Sequence, residues 1–168
     1  MSFGDLYDYF NKDFIDREFI ISQNLTYGNA KAEIIGQFED NAKLLKFRKN
    51  QNYLYHEILS LPEIEDKTLD IKTQKRMLED LAYNYIEKRC TNNLVYGVIH
   101  EDKGHLHAHL MISSNELGKN INLRLERAKF NEIRKEVEIY KEQKFKVLGR
   151  RKLYNREYKK NRQKNRKQ

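Results

Sequence analysis

The sequence predicts an α+β domain: an antiparallel sheet with one strand carrying a row of histidines, and long helices packed on one face. Three observations lead there. Four of the five histidines, His100, His105, His107 and His109, fall within ten residues. Two runs of strand character, Leu94–His100 and His105–Ser113, are separated only by Glu101–Gly104, a length that favours a hairpin. Three longer stretches with helical spacing of apolar residues surround these runs. That order suits an α+β chain with adjacent antiparallel strands.

The first helical stretch runs from Asn29, a good capping residue, to about Phe47, with Ile34, Ile35, Phe38, Ala42 and Leu45 on one stripe. Tyr53–Leu61 is rich in aromatic and aliphatic residues and reads as a strand, ended by Pro62, the only proline. Thr68 or Asp70 then opens a long helix to about Arg89, striped by Ile71, Leu78, Leu81, Ala82, Tyr85 and Ile86. The hairpin follows. Leu123–Tyr140 is the third helix, amphipathic through Leu125, Phe130, Ile133 and Val137. No internal repeat is visible, and no linker precedes Lys146.

A chain of 168 residues is one domain with room for a real core. We expect that domain over residues 1–147 and a basic, disordered tail over 148–168. The net charge of +8 lives in the tail: residues 149–168 hold ten Lys/Arg and one Glu, which leaves 23 basic against 24 acidic residues in the body. Arg150, Arg151 and Lys152 begin an arm suited to phosphates, and Tyr154 and Tyr158 between the charges suit base stacking. A single cysteine, Cys90, excludes a zinc finger and fits packing in a reducing cytoplasm. No apolar run is long enough to span a membrane, and the N-terminus lacks the pattern of a secretory signal.

The histidine spacing carries the chemistry. Residues i, i+2 and i+4 of a strand share a face, so His105, His107 and His109 line one side while Leu106, Ala108 and Leu110 turn to the other. The hairpin returns His100 beside them. Imidazoles converging in this way suit a metal ion held by neutral nitrogens with open positions. By ligand softness three imidazoles favour Mn²⁺ or Zn²⁺. Glu57, next to His56 on the preceding strand, is a candidate to orient a ligand histidine.

The stretch from Tyr53 to about Tyr140 resembles the relaxase/mobilisation nucleases, metal-dependent DNA strand transferases of the HUH class. The resemblance rests on His100-x-Asp102-x4-His107-x-His109, similar to the family's His-x-Asp followed by His-hydrophobic-His. Tyr55–Leu61 looks like the strand before the family's long helix, and Asn24-Leu25 and Gln37-Phe38 stand where relatives have similar pairs. Ser2-Phe3-Gly4-Asp5-Leu6-Tyr7-Asp8-Tyr9 resembles the segment bearing the nucleophile, with Tyr9 at the matching offset and Tyr7 the alternative. The resemblance implies that His100, His107 and His109 hold the metal, that Asp102 is the motif's acidic position and that His105 contacts DNA or supports a ligand. It implies Mg²⁺ or Mn²⁺ in use. Relatives carry a first strand before the Ser-Phe-Gly segment, so an N-terminally truncated chain with an open edge or gap in the sheet is expected.

The implied activity is nicking and strand transfer on single-stranded origin DNA in plasmid or mobile-element mobilisation, with accessory mobilisation proteins as further partners. Arg124 and Arg127, with Lys129 and Arg134, are candidate DNA contacts on the last helix. Three other readings stand beside it. A replication-initiator nuclease of the same class places its tyrosine after the histidines, where Tyr140 lies. A truncated, inactive relative would bind DNA without cutting it, and a metal-storage or sensor module would bind metal without DNA.

Overall fold

The computed structural model describes residues 1–12, 17–26, 28, 30–61, 64, 67–102 and 105–148, with only the backbone of Asp102. The chain runs α1 (Phe3–Asn11), β1 (Ile20–Gln23), α2 (Lys31–Ala42), β2 (Leu54–Ser60), α3 (Ile71–Cys90), β3 (Asn93–Asp102), β4 (His105–Glu116) and α4 (Arg127–Lys144), with single 3-10 turns before β1 and after α4. All strand pairs are antiparallel, in the order β1-β3-β4-β2. The α+β class is as the sequence predicts.

Two elements escaped the sequence reading. Helix α1 starts on a reciprocal cap: the Ser2 amide donates to Asp5 Oδ2 at 3.0 Å, and the Asp5 amide donates to Ser2 Oγ at 3.1 Å. Phe3, Leu6 and Phe10, spaced by three and four, form its buried stripe. Strand β1 pairs with β3 from Ile20↔Val98 to Gln23↔Val95. Of the expected open edge or gap, no gap lies beside the histidine hairpin, since β1 and β2 flank it on both sides, and both of these are edge strands among the described residues.

Other boundaries shift by local chemistry. Asp70 caps α3, its Oδ1 accepting from the Thr73 amide at 2.9 Å. The capping expectation at Asn29, the strand stop at Pro62 and the tail beyond Leu148 fall outside the described residues, while Leu148, expected to open the tail, is buried in the core. Helix α2 ends at Ala42, short of Phe47, which is exposed. Helix α4 begins at Arg127 rather than Leu123: Asn122 bridges to Asn115, and the Leu123 amide donates to Ser114 O at 2.6 Å, keeping that stretch extended against β4. Arg124 thus precedes the helix.

Strand alternation divides the core into two layers. Leu106, Ala108, Leu110 and Ile112 of β4 join Val95 and Ile99 of β3 under α3 and α4. On the other face Leu94, Tyr96, Val98 and Met111 meet Phe3, Leu6 and Phe10 of α1 and Ile34 and Phe38 of α2. The two longest helices share one face as expected, while α2, expected with them, lies opposite beside α1. Each fully buried Phe or Leu in these layers contributes about 1.5–3 kcal/mol. Gly97 allows β3 to approach β4 closely, because a Cβ there would stand 2.6 Å from the His109 carbonyl oxygen.

Candidate active site

At one end of the α1 face, the hairpin register sets His100 opposite His107 and Val98 opposite His109. The resulting ring centroids lie 4.8 Å apart for His100–His109 and 6.4 Å for His107–His109. His105 continues the row at 6.4 Å from His107 but is exposed. The side chain of Asp102 is outside the described residues.

The fifth histidine belongs to the same cluster, and sequence reasoning missed it. Strand β2 pairs with β4 so that Ser60 faces His107 and Ile58 faces His109. His56 Nε2 lies 3.0 Å from His109 Nδ1, and Ser60 Oγ lies 2.8 Å from His107 Nδ1. His56 and Ser60 are four residues apart on one strand, so they share a face. That parity was readable in the sequence. The placement of β2 beside β4 was not.

Glu57 corrects an expectation. It points to the opposite face, where its carboxylate accepts from Tyr85 Oη and from Arg89 Nη2 at 3.0 Å. Adjacent strand residues point apart, so a residue next to His56 cannot orient the histidines. Burial, with the Glu57 carboxylate beside it, raises the Tyr85 phenol far above its ordinary value.

Helix α1 brings its C-terminal turn onto the cluster. Phe10 is fully buried, with its ring 5.1 Å from His56 and 5.5 Å from His109. The Phe10 carbonyl, among the helix's last and lacking an intrahelical partner, is hydrogen-bonded by His100 Nε2. Tyr9 stands over the rings, 5.8 Å from His109 and 6.0 Å from His56, with 53% of its surface exposed. Tyr7, two residues earlier and so on another side of the helix, stacks on Tyr96 at 5.1 Å. Tyr140 is on α4 beyond the sheet, donating to Asp80 at 2.8 Å.

Burial favours the neutral form of two rings in the cluster, His109 and His56. His109 is only 6% exposed, and burial, followed by the neighbouring His100, His56 and His107, pushes it down to about 4. Burial also lowers His56. A neutral imidazole is the form that ligates metal, and the donor types suit a divalent transition ion. As the rings stand, no group of three or more His, Cys, Asp or Glu among the described residues is placed to hold an ion. His100 Nε2 is engaged with the Phe10 carbonyl and His109 Nδ1 with His56 Nε2.

Of the DNA-contact candidates, Arg124 and Arg127 line a cavity on the α3–α4 side, while Arg150, Arg151 and Lys152 lie outside the described residues. Among the described residues no helix is long and apolar enough to cross a membrane.

A family model described as the nuclease domain of MobA/VirD2-like relaxases matches residues 10–143, beginning one residue after Tyr9. No curated protein and no solved structure matches the chain.

Proposed function

This chain belongs to the MobA/VirD2-like relaxase nuclease family, whose members nick DNA in mobilisation, and from that premise we propose that it cuts and transfers a single DNA strand through Tyr9. The observation carrying this reading is the exposed Tyr9 ring set edge-on to His109 within a cluster of imidazoles.

In the proposed step Tyr9 Oη attacks the scissile phosphorus in line with the bond to the 3′ oxygen. The Oη–P bond forms as the phenolic proton departs. The P–O3′ bond breaks, its electron pair stays on the 3′ oxygen, and that oxygen takes up a proton. The products are a 5′-phosphotyrosine and a free 3′-hydroxyl, so the strand can be rejoined without an external energy source. His100, His107 and His109 would hold a divalent ion, Mn²⁺ or Mg²⁺ by resemblance, with Zn²⁺ also suited to imidazoles. When bound, such an ion supplies positive charge that stabilises the phosphoryl oxygens and favours the phenolate.

The chain's own residues set the stage for this. Phe10 beneath the rings keeps bulk water from their inner side. His56 and Ser60, bonded to the Nδ1 atoms of His109 and His107, hold those two rings in orientation. His105 at the exposed end of the row is a contact for the strand. The domain ends near residue 147, the basic tail adds phosphate contacts, and a cytoplasmic location accords with the substrate. Tyr140 lies across the sheet from the histidines, which disfavours the replication-initiator arrangement.

The test is incubation with a labelled pool of origin-derived single-stranded oligonucleotides and Mn²⁺, followed by denaturing electrophoresis. A DNA–protein adduct lost on chelation and in His107→Ala is the expected result. Binding of DNA without an adduct, in protein with confirmed metal, would overturn strand transfer in favour of an inactive DNA-binding relative. Tight metal binding without DNA affinity would favour a storage or sensor module.

A further inference from the structure

The sheet face turned away from the histidines carries a second concentration of charge. A cavity opens there between residues 48–52, the start of β2 and the segment entering α4. Its lining contains five cations, Arg48, Lys49, Arg89, Arg124 and Arg127, and one carboxylate, Glu57. Glu57 is already engaged by Tyr85 and Arg89. The other four cations form no ion pair with a described residue. On α4 outside this cavity, by contrast, Lys129, Lys141 and Lys144 each have a carboxylate oxygen within 3 Å, while Lys135 forms no ion pair with a described residue.

A second observation points the same way. The Arg89 side chain is only 3% exposed, yet its Nη1 has no hydrogen-bond partner. A buried cationic N–H without an acceptor is costly, and an anion in the adjoining cavity would offset that cost through the field of the guanidinium. A mostly apolar groove lined by His56, Leu59 and Phe130 adjoins the cavity, sharing Glu57, Arg127 and Phe130 with it. The groove follows the outer edge of β2, which among the described residues pairs only with β4.

We propose that this cavity is a phosphate-binding site that holds the DNA backbone away from the nick, the strand reaching it around the edge of β2. That the phosphate is part of DNA rests on the strand-transfer reading. The existence of the anion site does not. Arg48 and Lys49 come from one segment of chain and Arg124 and Arg127 from another, so a backbone phosphate in the cavity meets charge from two separate segments.

The test uses the full chain and the homopolymer dT40, with affinity followed by fluorescence anisotropy across a salt series. The double variants Arg124→Gln/Arg127→Gln and Arg48→Gln/Lys49→Gln each remove two exposed charges from one of the two segments. Lys119→Gln/Lys135→Gln removes the same charge elsewhere. Each cavity variant is expected to bind dT40 about tenfold more weakly, with the salt slope reduced by about 1.4, while the control pair stays close to wild type. Equal losses in all three would reduce the effect to net charge and overturn the site, as would no loss in either cavity variant. Inorganic phosphate is assayed in parallel by thermal shift. A phosphate-induced stabilisation lost in the cavity variants, with dT40 binding unchanged, would assign a free phosphate and overturn the DNA contact. The adduct assay is read separately: cavity-dependent dT40 binding with no adduct from the wild type would remove the strand-transfer reading and leave the phosphate site standing.

Discussion

The ring of Tyr9 meets that of His109 edge to face, with centroids 5.8 Å apart and planes at 81°. Nothing local in the sequence requires this, because the two residues are joined only through the packing of α1 on the sheet. Phe3, Leu6 and Phe10 dock the helix, and the bond from His100 to the Phe10 carbonyl fixes its last turn. The proposed nucleophile and the histidines are thus held as one body.

That arrangement separates the tyrosines. Tyr9→Phe is expected to lower adduct formation by more than about 10⁴-fold, as loss of a nucleophile does, while Tyr7→Phe and Tyr140→Phe keep it. Labelled-oligonucleotide gels of the three variants check this. An adduct surviving in Tyr9→Phe and lost in either of the others would move the nucleophile.

His56 tests the supporting role on β2. His56→Ala removes the partner of His109 Nδ1 without removing a proposed ligand. Metal affinity is expected to fall by about 10–100-fold, and His107→Ala to lower it further. Calorimetric titration with Mn²⁺ measures both. Equal effects would make His56 itself a ligand.

Glu57 should matter for stability and not for chemistry. Glu57→Ala leaves Arg89 buried and unpaired, which costs about 3–5 kcal/mol when a buried pair is broken from one side. Partial exposure of Glu57 places the value toward the lower end. Urea denaturation measures the loss, and adduct yield per folded molecule is expected to stay unchanged.

The histidines also set a pH dependence in metal-free protein. His109 is pushed down to about 4 from its ordinary 6.5, so between those values the unfolded chain binds more protons at this residue than the folded one. Stability therefore rises with pH across that window and is lost as pH falls from 6.5 toward 4. His56, lowered by burial, adds in the same direction. Denaturation midpoints in chelator at pH 5 and pH 7 should differ accordingly, and His109→Gln should narrow the difference.

Much of this was legible in the chain. The period-2 spacing from His105 to His109 puts three rings on one face; Asp70, one of two capping candidates, starts α3, and its expected stripe is buried except for Ile71, which is exposed. The capping box from Ser2 to Asp5 is equally present in the chain and marks a helix start. Strand β1 is four residues long and gains its identity from pairing with β3, which no local pattern encodes. The same is true of His56, whose role depends on which strand lies beside it. Glu57 lies next to His56 in sequence but on the other side of the strand, so adjacency alone points to the wrong partner.

Strand β2 delivers unlike cargo to its two sides: an imidazole and a hydroxyl toward the rings of β4, a phenol and a carboxylate toward Arg89. Its reading frame is therefore as consequential as its composition. Deleting or inserting one residue inside it would exchange the cargoes, sending Glu57 among the imidazoles and His56 against a buried guanidinium. A two-residue slip would preserve the sides and merely displace the partners. Length changes in this strand should thus be judged by whether they are odd or even, a rule that substitution of single side chains would never reveal.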